Sequence, residues 1–171
     1  MAAQPPASSL PGNGQHCTSH RAPCLLAGIT APDGHDPAQM QFTARQFAPS
    51  PHWLAAARTF TRDTLRRWNL GHIADDAATI ASELVANAVQ HVQPEPGTAP
   101  QPIWLALDRR DTSVLCIVFD TSSTEPTLHT PAPLSETGRG LVIVQALSED
   151  WGCNIEVEGK LVWAQISSAC R

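Results

Sequence analysis

Six consecutive apolar residues, Val114, Leu115, Cys116, Ile117, Val118 and Phe119, closed by Asp120, constrain this chain more than any other feature. Such a run is too short for a buried helix and too apolar for a half-exposed strand, so it reads as a central strand of a sheet. Just upstream, Ile103, Leu105 and Leu107 alternate with other residues, and the polar residues 108–111 supply a turn. The two strands should form a hairpin whose second member is central.

Two helical patterns precede that hairpin. Ser50-Pro51 offers an N-cap followed by proline at the first helical position. Trp53, Ala56, Ala57, Phe60, Thr64 and Trp68 then recur at three- and four-residue steps, predicting an amphipathic helix that ends near Gly71. A second helix is expected over 73–93, with Ile73, Ala77, Ile80, Ala81, Leu84, Ala88 and Val92 on one face and Pro94 as the stop. Before both, Phe42, Ala44 and Gln46 alternate as an edge strand would.

After Asp120 the segment 121–137 holds three prolines, which exclude a helix or central strand and leave a loop longer than usual connections. Gly138-Arg139-Gly140 leads into Leu141, Val142, Ile143, Val144 and Leu147, expected as a short buried helix. Two closing strands, 153–157 and 161–166, should be joined by a turn at Glu158-Gly159-Lys160. The first 40 residues are rich in Pro, Gly, Ser and Ala and read as a flexible tail ahead of one domain, 41–171.

With 16 acidic against 11 basic residues and a net charge of -5, the chain lacks the footprint of a nucleic-acid binder, and direct DNA binding is not expected. No stretch approaches the roughly 20 apolar residues of a membrane span, and no basic flank and apolar run mark a secretory signal, so a cytoplasmic protein without a membrane partner is expected. The five cysteines are odd in number and show no Cys-x-x-Cys spacing, which favours buried free thiols over disulfides or a zinc ribbon. His16, Cys17, His20 and Cys24 have metal-ligand chemistry but lie in the tail, without a scaffold to fix a geometry.

Within the second helix, Glu83, Asn87 and His91 fall on one line at i, i+4 and i+8, so Asn87 and His91 border the apolar face. Either they hydrogen-bond inside a closed core, or they face a polar ligand or hydrated metal ion, with Glu83 one turn away to orient or deprotonate a hydroxyl. Asp120 stands at the carboxyl end of its strand, a place for a ligand contact as well as for a turn. Thr137, Gly138, Arg139 and Gly140 sit at a helix start, where free N–H groups can bind phosphate.

Taken in order, Ser82-Glu83-Leu84-Val85-x-Asn87-Ala88, then Asp120, then Thr-Gly-Arg-Gly-Leu-x-Ile-Val from Thr137, followed by Ala146-Leu147 and Trp151-Gly152, resembles the GHKL (histidine-kinase-like) ATPase superfamily. More narrowly, it looks like the anti-sigma-factor serine kinases and small ATP-binding regulators similar to them. The resemblance spans 41–166. It implies a two-layer α/β sandwich, a mixed sheet with helices on one face, holding nucleotide under a lid formed by 121–137. It further implies that Asp120 accepts from the adenine amino group, that Asn87 ligates Mg²⁺, that Glu83 is the base or water-orienting group, and that Gly138, Arg139, Gly140 and Leu141 wrap the phosphates. One departure stands out: where the family has Asp-x-Gly-x-Gly, Asp120 is followed by Thr121, Ser122 and Ser123, side chains that can bond a base or a water.

Two functions follow from the resemblance. One is an ATP- and Mg²⁺-dependent protein serine/threonine kinase acting on a partner protein, with a sigma factor or an anti-anti-sigma-like protein as partner and homodimerisation left open. The other is a non-catalytic module that uses the same fold to sequester a regulator. A histidine kinase catalytic domain fits less well, since no phosphoacceptor helix pair precedes residue 41.

Overall fold

In the computed structural model the described residues are 41–47, 50–91, 101–126 and 139–169, the His91 side chain excepted. The tail, the His16–Cys24 cluster, the chain around Pro94 and most of the expected lid, from residue 127 to 138, lie outside them.

Strand β1, Gln41–Phe47, is followed by helix α1, Trp53–Arg67. Ser50 stands earlier than a cap position, its Oγ accepting from the N–H of His52 at 3.2 Å. The helix also ends sooner than its pattern suggests. Asn69 adopts φ 60°, its N–H donates to Arg66 O, and the N–H of Leu70 donates to Leu65 O. That is a Schellman stop, with Asn69 in the place usually given to glycine and both Leu65 and Leu70 buried in the core under the helices. Gly71 instead opens a single 3₁₀ turn, Gly71–Ile73, that leads into α2, Ala74–His91.

Strands β2, Ile103–Arg109, and β3, Ser113–Asp120, form the expected hairpin. Helix α3, Gly140–Leu147, then leads to β4, Asp150–Glu156, and β5, Gly159–Ser167. Only Leu141 and Val144 of α3 are buried and Val142 is 40% exposed, so α3 is a one-sided helix, not a buried one. The last hairpin also differs from expectation. Its turn is Val157-Glu158, so Gly159 and Lys160 belong to the strand.

The sheet order is β1-β2-β3-β5-β4. All four pairings are antiparallel, whereas a mixed sheet was expected. The reason is topological: β4 runs parallel to β3, but β5 lies between them. The two-layer α/β architecture stands, with α1 packed on α2, and α2 packed on α3, β2, β3 and β5. β1 is an edge strand and β3 is central, as their patterns require.

Period-two alternation divides the sheet into two faces. Val114, Cys116, Val118 and Asp120 face the helices together with Val162, Ala164 and Ile166 of β5. Leu115, Ile117, Phe119, Leu161 and Trp163 form a second buried cluster on the opposite face. No helix among the described residues is long and apolar enough to cross a membrane.

Candidate functional site

Three elements bring the candidate residues together: the middle of α2, the end of β3 and the start of α3. Glu83 and Asn87 lie one turn apart on α2, both half-buried. A stripe of Ile80, Ala81, Leu84, Val85 and Ala88 anchors that helix to the sheet and leaves its Glu83–Asn87 edge beside α3. The approach is close because Gly140 has no side chain. A Cβ placed there would sit 2.8 Å from Glu83 Oε2. The Glu83 carboxylate therefore stands against the first turn of α3, where the helix dipole is positive and N–H groups are unpaired within the helix.

Asn87 carries the second signal. Its Nδ2 is buried and has no hydrogen-bond partner among the described residues. An orphaned amide of this kind costs about 1 to 3 kcal/mol, so the closed-core account of Asn87 leaves its cost unexplained. An amide can present nitrogen or oxygen after a half-turn of its side chain, and this one lies one helical turn from a carboxylate residue. An amide oxygen and a carboxylate form the hard donor set that Mg²⁺ prefers. A phosphate at the start of α3 would meet the negative Glu83, and a divalent cation between them would remove that repulsion. The residues present thus fit MgATP.

Asp120 closes the other end of the site. It is fully buried on the helix-facing side, and its Oδ1 accepts from the N–H of Ser122 at 2.8 Å. Ser122 Oγ in turn accepts from the N–H of Thr124 at 3.1 Å. Where the family has glycines, side chains here bind the local backbone in successive turns. Thr121 is exposed at the start of this segment.

One charged residue of the site escaped the sequence reading. Lys160, opposite Asp120 in the β3–β5 register, is 0% exposed, and its Nζ lies 3.2 Å from Asp120 Oδ1. Once the strand is known to begin at Gly159, stepping back by two from Ile166 through Ala164 and Val162 reaches Lys160 on the inward face, but the Glu158-Gly159-Lys160 run itself reads as a turn. Gly159 makes the approach possible. Its φ is +149°, and a Cβ there would lie 2.0 Å from Asp120 O.

The nearby thiol is not a nucleophile. Burial pushes Cys153 up to about 11, an effect that Lys160 opposes and that Glu125 and Asp120 reinforce. Cys116, inside the core, is pushed by burial to about 12. Both are free and protonated at neutral pH.

Of the remaining expected residues, Arg139 is exposed just before α3 and Leu141 is buried under it. Thr137, Gly138 and the His91 side chain lie outside the described residues. Among the described residues no group of three His, Cys, Asp or Glu side chains forms a metal cluster.

The sequence model of the histidine kinase-like ATPase domain matches residues 47–166, from the last residue of β1 to the end of the buried part of β5. Among curated proteins, none matches significantly.

Proposed function

The chain belongs to the histidine kinase-like ATPase domain family, whose ligand is ATP, and on that premise we propose that it is a regulatory protein serine/threonine kinase of the anti-sigma-factor type. The observation that carries this reading is the convergence at the start of α3. Glu83 Oε2 abuts Gly140, and the buried Asn87 amide one turn away lacks a partner among the described residues.

Bound MgATP supplies the transferable γ-phosphoryl group and the metal charge that stabilises its transfer. Asn87 would hold the metal, the N–H groups of Arg139, Gly140 and Leu141 would meet the phosphates, and Asp120 would accept from the adenine amino group. Glu83 would orient the partner's serine or threonine hydroxyl and take its proton as the oxygen bonds to the γ-phosphorus and ADP leaves. The partner is a sigma factor or an anti-anti-sigma-like protein, and the consequence is control of transcription in the cytoplasm.

A second reading, an ATP-binding module without catalysis, is favoured by one observation. The residues after Asp120 spend their N–H groups on the side chains of Asp120 and Ser122, where the family's glycines would leave the backbone open to the nucleotide.

Calorimetric titration tests the nucleotide site that both readings share, and a phosphoryl-transfer assay separates them. MgATP should bind with metal dependence and preference over GTP, and Asn87→Ala should weaken it by about tenfold or more. Glu83→Ala should keep ATP bound and abolish transfer to the partner. Normal transfer by that variant would remove Glu83 from its role, and no binding at millimolar ATP would end the kinase reading.

A further inference from the structure

The sealed Lys160–Asp120 pair is larger than the stability of the fold requires. Two charges are taken fully out of water at 0% exposure, a step whose desolvation penalty often exceeds the attraction regained, and a pair of apolar side chains would be as stable or more so. The rest of the inward stripe on β5, Val162, Ala164 and Ile166, shows what ordinary packing at such positions looks like. Lys160 also has donors left over. Its ammonium carries three N–H groups, yet Nζ is buried and meets no acceptor in hydrogen-bond geometry among the described residues, the contact to Asp120 being one of charge.

The order of groups fits a particular ligand edge. Adenine presents a donor, the 6-amino group, beside an acceptor, N1. A carboxylate oxygen and an ammonium 3.2 Å apart present an acceptor beside a donor. Resting on the ATP-binding reading above, we propose that Lys160 is a second base-reading group of this pocket, donating to N1 of adenine while Asp120 accepts from the 6-amino group. In the same orientation guanine offers O6 to the carboxylate and N1–H to the ammonium, so both contacts turn repulsive. Selection of adenine then rests on two adjacent groups contributed by two strands, and Gly159 is the residue that lets those strands close.

The test compares ATP with 1-deaza-ATP, in which a C–H replaces N1, titrated with Mg²⁺ into the full chain and into Lys160→Met. The wild-type chain should bind ATP about tenfold or more tightly than the analogue, the range of one hydrogen bond to a charged donor. Lys160→Met should bind ATP more weakly and no longer distinguish the two. Lys160→Arg, which keeps the charge beside Asp120 but moves its donors, should also lose discrimination, and the wild-type ratio needs no variant to fold. Equal binding of both nucleotides by the wild type, or an unchanged ratio in the variants, would overturn the proposal and leave Lys160 as a counter-ion. Failure of ATP itself to bind the wild type would overturn the kinase reading and this inference together, whereas ATP binding without N1 discrimination removes the inference alone.

Discussion

Two buried aspartates on neighbouring strands face opposite sides of the sheet. Asp108 lies on β2, opposite Leu115 of the outer cluster, with Arg110 Nε 3.2 Å from its Oδ2. Asp120 lies on β3 facing the helices, with Lys160 Nζ also 3.2 Å away. The distances are the same and the surroundings are not. Arg110 is 32% exposed and keeps part of its hydration, whereas Lys160 is 0% exposed. An ion pair with a route to water can be an incidental surface feature drawn inward. A pair sealed at both ends carries desolvation costs on both ions, and selection for packing alone does not account for it.

The sharpest way to break that comparison is to remove one member of the sealed pair. Lys160→Met should cost about 3 to 5 kcal/mol in urea unfolding, because it leaves a carboxylate buried without its counter-charge. Adding Asp120→Asn should return most of that loss. Failure of the second substitution to recover stability would mean that Lys160 acts through packing and not through charge.

A smaller effect is expected at the glycine that brings the pair together. Gly159→Ala places a methyl group 2.0 Å from a backbone oxygen at a φ of +149°, and no side-chain movement relieves it. A loss of about 2 to 4 kcal/mol is expected, from strain and overpacking combined. Gly140 offers the contrast, since its added Cβ would meet only the movable end of Glu83, at 2.8 Å. Gly140→Ala should leave stability within about 1 kcal/mol of wild type. On the proposed kinase reading its expected mark is on phosphoryl transfer, which should fall as Glu83 is displaced; an unchanged rate would remove Glu83 from the role proposed for it.

These glycines and charges also show which parts of the molecule were readable in advance. The central strand, the hairpin with β2, the edge strand and the helix bearing Glu83 and Asn87 rest on periodicity, which is local and was legible. Asp120 was legible because it closes an uninterrupted apolar run. Lys160 was not, because Gly beside charged residues normally signals a turn, and only the register of β5 against β3 places Gly159 and Lys160 inside the strand. Asn69 misled in the opposite sense. It ended α1 before Gly71 could, since asparagine tolerates the left-handed conformation that glycine usually supplies. The all-antiparallel sheet was beyond reach for another reason: which strands become neighbours depends on where β5 inserts, a long-range property that no local pattern encodes.

The smallest predicted effect concerns the vented pair and carries a sign that distinguishes it. Burial pushes the Asp108 carboxyl above its ordinary value, with the hydrogen bond and charge of Arg110 only partly opposing the rise. An acid whose folded value is raised binds its proton more tightly in the native than in the unfolded chain. Its contribution therefore grows more favourable as pH falls from above the folded value toward the ordinary carboxylate value of 3.8, and is least favourable at neutral pH. Asp108→Asn replaces the buried charge with a neutral amide and leaves Arg110 with access to water. At pH 7 the variant should match the wild type within about 1 kcal/mol, or exceed it. As pH is lowered toward 4 the difference should move in favour of the wild type, opposite to the trend expected for a salt-bridged surface aspartate. Unfolding curves at the two pH values would show it. A loss above about 2 kcal/mol at pH 7 would mean that the Arg110 pair is worth more than its desolvation, and that a route to water is not what separates the two aspartates.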